Sequence, residues 1–83
     1  MRMDFITFRS VTPAQRGQRA LQQEGIFCGL QRTPGYMEQR GCGYCLRIRS
    51  EDTARAVTSL RQQRIPFSKV YRSTDDGMEE LVL

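Results

Sequence analysis

The residues best suited to chemistry in this 83-residue chain are concentrated in Arg40-Gly-Cys-Gly-Tyr-Cys-Leu-Arg-Ile-Arg49. Cys42 follows Arg40 and stands between Gly41 and Gly43, so its neighbours give it little steric cover and the backbone is free to bend there. A thiolate is a nucleophile and a thiol is not, and cations favour the thiolate. Arg40, with Arg32 and Arg47 as further candidates, would supply that positive charge. From Tyr44 onward the chain alternates. Tyr44, Leu46 and Ile48 fall on one face of an extended segment and Cys45, Arg47 and Arg49 on the other, which places Cys42 where a loop enters a strand.

Cys42 and Cys45 have the C-x-x-C spacing of thiol-disulfide oxidoreductases, but those enzymes carry the first cysteine at a helix N-terminus. On a strand, three residues separate the α-carbons by roughly 10 Å, and a disulfide needs about 7 Å or less. Cys45 is therefore read as a secondary thiol. A zinc site lacks ligands, because the chain has three cysteines and no histidine, so neither a metal nor any other cofactor is expected. Arg40, Gly41, Gly43 and Tyr44 also match part of an RNA-recognition signature. That register would bury Arg47 and expose Leu46 and Ile48, which is costly. The residue types leave two readings of Cys42: a reactive thiolate, or an inert thiol between glycines.

The elements that position this stretch follow from local pattern. A first strand is expected over 4–9, around Phe5, Ile6, Thr7 and Phe8. Thr12, Pro13 and Gln15 predict a helix over 13–24, ended by Gly25, with Ala14, Gly17, Ala20 and Leu21 inward. A second strand follows over 26–32, with Ile26, Cys28 and Leu30 on one face and Cys28 a small buried hydrophobe. After a loop over 33–41 and the Cys42 strand, Ser50 is placed to cap a second helix whose core stripe is Ala54, Val57 and Leu60. Pro66 closes that helix, and a last strand runs over 67–72, where the lack of clean alternation suggests an edge or a bulge.

The order β-α-β-β-α-β is a doubled unit, and Leu21-Gln-Gln-Glu-Gly-Ile26 is echoed 39 residues later by Leu60-Arg-Gln-Gln-Arg-Ile65. Right-handed crossovers then predict an α+β, ferredoxin-like βαββαβ domain: a four-stranded antiparallel sheet with both helices on one face. The domain is expected over 1–72, with an acidic tail over 73–83 that is either frayed, an added strand or helix, or a docking end. All 13 Lys/Arg lie in 1–72 against five acids, giving +8, while Asp75, Asp76, Glu79 and Glu80 give the tail −4. Such a body attracts anions of many kinds. Three cysteines without a disulfide spacing, and no apolar run of membrane-spanning length or signal-peptide core, point to a cytoplasmic protein with free thiols and no membrane association.

Over residues 4–72 the chain resembles the selenium/sulfur carrier protein-like family. The resemblance is carried by Phe5-Ile-Thr-Phe8, by the 21–26 helix end with Gly25, by Thr33-Pro34, and above all by Cys42-Gly43 leading into Tyr44-Cys-Leu-Arg-Ile48. It implies a ferredoxin-like domain that holds sulfur or selenium on Cys42 as a persulfide or perselenide. Such a protein is a carrier rather than a catalyst, and its partners are a donor enzyme and an acceptor protein. Two features depart from the pattern: Cys45 stands where a small apolar residue is expected, and the acidic tail extends past the usual end. The alternative is a binding module using the open sheet face, as an RNA binder or as an oligomerising regulatory domain that forms a homodimer; of the two partners, nucleic acid is the weaker expectation.

Overall fold

Alternating strand patterns and two amphipathic segments assemble as an α+β structure in which the N-terminal strand lies in the middle of the sheet. The computed structural model describes residues 2–33 and 43–82. Its elements are β1 (Met3–Phe8), α1 (Val11–Gln23), β2 (Cys28–Arg32), β3 (Tyr44–Arg49), a 3₁₀ turn (Ser50–Asp52), α2 (Thr53–Gln62), β4 (Val70–Thr74) and β5 (Gly77–Leu81). Among the described residues the sheet is five-stranded, in the order β2-β3-β1-β4-β5, and every neighbouring pair is antiparallel. The expectation of four strands is thus corrected. The tail supplies the fifth, because Asp75 and Asp76 form a two-residue turn and Gly77, at φ +130°, takes a conformation that favours glycine.

The helices cover one face of the sheet. Ile6, Phe8, Leu46 and Ile48 are fully buried there and pack with Leu21, Leu60 and Cys28 in one core. Gly17 lets α1 come close: a β-carbon at that position would stand 3.2 Å from the Phe8 ring and 3.3 Å from each of Leu46 and Leu60. Cys28 is buried in this core as expected, and its thiol lies 3.7 Å from the Gln18 carbonyl that accepts from it.

The internal echo has a shared physical cause. Ile26 N–H donates to the Leu21 carbonyl and Ile65 N–H to the Leu60 carbonyl, each at 2.9 Å. Gly25 and Arg64, the residues just before, both have positive φ, at 78° and 56°. These are two copies of the Schellman helix stop, each burying its leucine and isoleucine. The starts of the helices differ from expectation. Ser10, not Thr12, is the N-cap of α1, and it makes no side-chain cap bond. Ser50 does not cap α2 but opens the 3₁₀ turn, because its hydroxyl is taken by Asp4, at 2.6 Å. That turn rotates α2, so Ala56 rather than Ala54 is buried beside Val57 and Leu60.

Asp4 is fully buried on the helix side of β1. It also accepts from Thr53 Oγ1, at 2.5 Å, and from the Arg72 guanidinium, at 3.0 and 3.1 Å. Burial by itself would raise its pKa. The hydrogen bonds from Arg72, Ser50 and Thr53 and the charge of Arg72 outweigh that, and the carboxyl is held below its ordinary range. The last strand of the expected four begins at Val70 rather than residue 67 and runs to Thr74, and of the two readings of its broken alternation the edge is not met, since β4 lies between β1 and β5. A bulge precedes it, where Ser68 N–H donates to the Thr7 carbonyl and Thr7 N–H to the Lys69 carbonyl. No helix among the described residues is long and apolar enough to cross a membrane.

Candidate thiol site

The antiparallel ladder between β2 and β3 pairs Arg32 with Tyr44, Gln31 with Cys45 and Leu30 with Leu46. One step further, Thr33 N–H donates to the Gly43 carbonyl at 3.0 Å, so the described chain leaves this ladder at Thr33 and re-enters it at Gly43. Arg40, Gly41 and Cys42 lie outside the described residues.

Gly43 has a specific reason to be glycine. A β-carbon there would come within 3.0 Å of the Phe8 carbonyl oxygen and 3.3 Å of Thr33 Oγ1, and the first of these is backbone and cannot step aside. The residue after Cys42 is therefore clamped between β1 and the end of β2. The Arg32 guanidinium lies over the Tyr44 ring, 5.7 Å from its centroid, at the same end of the sheet. Arg47 is exposed and opposite Phe5 and Gly29, four residues along β3 from Gly43, a separation of about 13 Å. The structure brings Arg32, Thr33, Gly43 and Tyr44 together and sets Arg47 apart from them.

Alternation on β3 follows the expected faces. Leu46 and Ile48 are buried against the helices and Arg47 is in solvent, the arrangement opposite to the one an RNA-recognition signature needs. Cys45 is on the face away from the helices and yet has no exposed surface, packing with Phe5 in a second apolar cluster flanked by Met3, Tyr71 and Met78. Burial pushes its thiol pKa up, and interactions with Thr33 and Gln31 offset only part of that rise. The Thr33 hydroxyl is buried and among the described residues makes no hydrogen bond of normal geometry, so its contact with the Cys45 sulfur is a weak one. Cys28 is raised by burial as well. Both thiols are accordingly neutral and enclosed at physiological pH, the condition of structural cysteines rather than nucleophilic ones.

Thr33 and Gln31 were not singled out by residue type. Their bearing on Cys45 depends on strand register, and alternation within β2 was the only hint that Gln31 shares a face with it.

No curated protein matches this chain, and no solved structure does. A family model does match, over residues 4–72, from the buried aspartate of β1 to its arginine partner on β4 and stopping short of β5. By that match the chain belongs to the family described as "Putative Se/S carrier protein-like".

Proposed function

We propose that this protein carries sulfur or selenium on Cys42, within a ferredoxin-like scaffold, and passes it to a partner without turning over a substrate unaided. The observation that carries this reading is the state of the other two thiols: Cys28 and Cys45 are 4% and 0% exposed, and burial raises the pKa of each. Membership of a family described in terms of Se/S carriage leaves Cys42 as the cysteine to which the cargo is assigned.

The chemistry is a thiol exchange. The Cys42 thiolate attacks the outer sulfur of a donor persulfide, a new S–S bond forms as the donor's S–S bond breaks, and the donor leaves as a thiolate. One S–S bond replaces another, so no net oxidation occurs, and the transferred sulfur ionises as the persulfide anion once it is on Cys42. Selenium follows the same course. Arg32 and Arg40 supply positive charge for the thiolate and for the anionic cargo; Gly41 adds no side chain to hinder a donor, and Gly43, held against Phe8 and Thr33, fixes the chain on the other side of the sulfur. Donor and acceptor are thiol-bearing proteins. A reducing cytoplasm suits a chain whose three cysteines have no disulfide-framework spacing and whose Cys28 and Cys45 are free thiols.

The test is to treat the purified protein with a low-molecular-weight persulfide (R–S–SH) or its selenium counterpart (R–S–SeH), each of which releases R–S⁻ on transfer, and read intact mass. A single chalcogen adduct is expected on the parent and on Cys28→Ala and Cys45→Ala, and none on Cys42→Ser. Equal adduct on Cys42→Ser would overturn the assignment.

A further inference from the structure

The face of the sheet turned away from the helices carries a cleft of about 310 Å³ at the end of β1 remote from Gly43, lined by Arg2, Met3, Phe5, Arg47, Ser73 and Asp75. Its composition is unusual for an exposed sheet surface. Met3 and Phe5 form an apolar floor, and Phe5 is only 9% exposed. Arg2 and Arg47 both line the cleft, and among the described residues neither is engaged in an ion pair. Thr74 also lines it, but its hydroxyl donates to the Gly77 carbonyl, and among the described residues the Ser73 hydroxyl has no partner.

We propose that this cleft binds a small organic oxyanion, a carboxylate or phosphate attached to an apolar body. Guanidinium groups present planar pairs of N–H donors that match both oxyanions. Met3 and Phe5 take the apolar part, and Ser73 gives a further donor. A volume near the lower limit of ligand pockets fits a compact ligand. Asp75 on the β4–β5 turn sets the selectivity: it weakens binding of bare, highly charged anions, which have no apolar contact to offset its repulsion. The site does not depend on Cys42, and the distance from Gly43 to Arg47 keeps it separate from the carrier chemistry. It gives β5 and its turn a function that the family-matched span lacks, because Asp75 follows residue 72.

The experiment is a titration of the uniformly ¹⁵N-labelled full chain with phenyl phosphate, inorganic phosphate and phenol at low salt, read as amide chemical-shift changes. Phenyl phosphate should move the amides of Met3, Phe5, Arg47 and Ser73 together. It should bind about tenfold more tightly than inorganic phosphate or phenol. Arg47→Gln, whose exposed position keeps the spectrum dispersed, should weaken it by about tenfold, and Asp75→Asn should strengthen it roughly threefold. A phosphotyrosine pentapeptide separates the sources of the group: tighter binding than phenyl phosphate assigns it to a protein partner, weaker binding to a free small molecule, and either result keeps the site. Shifts spread over all the arginines, equal affinity for phenyl phosphate and inorganic phosphate, or an unchanged affinity in Arg47→Gln would overturn the proposal.

Discussion

Asp4 shows how one buried charge can be worth keeping. A carboxylate with no exposed surface would ordinarily be a heavy liability, and here two hydroxyls and a guanidinium satisfy both of its oxygens. Asp4→Asn keeps one acceptor oxygen and loses the charge opposite Arg72, and we expect it to destabilise the fold by about 2 kcal/mol in urea unfolding. Because the folded-state pKa lies below the unfolded one, the carboxylate's contribution is fully present above the ordinary value near 4 and is lost as pH falls through the lowered folded value. Parent stability should therefore drop on acidification below about pH 4, and that part of the drop should be missing in Asp4→Asn. An acid profile of the same shape in both proteins would show that the loss comes from other groups.

The helix stops make a comparable argument one level up. Gly25 and Arg64 hold the same position in two equivalent turns, but only glycine takes positive φ without steric cost. Arg64→Gly should raise thermal stability by about 1 kcal/mol, with the Ile65 to Leu60 bond retained. A loss of stability would mean that the Arg64 side chain contributes more than its backbone costs. Elements were legible in the sequence where a pattern repeats against a buried surface. Tyr44, Leu46 and Ile48 announced β3, and Gly25 announced the end of α1; Pro66 misplaced the end of α2, which stops at Gln62 on the turn at Arg64. Strand β5 was only one of several readings of the tail, since its inward residues are Gly77, Glu79 and Leu81, and a single apolar residue among them is no alternation. Ser50 misled for a related reason: it has the right residue type for a cap, but Asp4, 46 residues away, claims its hydroxyl. At the site, Gly43 was read as a source of freedom, whereas a close contact with Phe8 restricts it. The burial of Cys45 depends on partners from β1 and β2 that no local window contains.

Across the whole molecule, the acidic tail is joined to the basic body through the sheet. Glu80 lies 3.8 Å from Lys69, Glu79 is opposite Arg72, and Leu81 packs on the core next to Val70. Ending the chain after Thr74 would remove these contacts and make β4 a sheet edge. We expect a loss of about 2 kcal/mol, part of it recovered in high salt as the unbalanced positive charge is screened, and self-association in sedimentation as the bare edge pairs. A monomer of unchanged stability would show that β5 is dispensable for the fold. The central position of β1 also governs when the structure can close. Its neighbours β3 and β4 are made tens of residues after it, and the carboxylate of Asp4 meets its last partner only at Arg72. A chain emerging from the ribosome can therefore pair its first strand with β3 once Arg49 is made, but the other side of that strand stays open until β4 follows, and the late arrival of that arginine sets the earliest moment at which the finished sheet can lock.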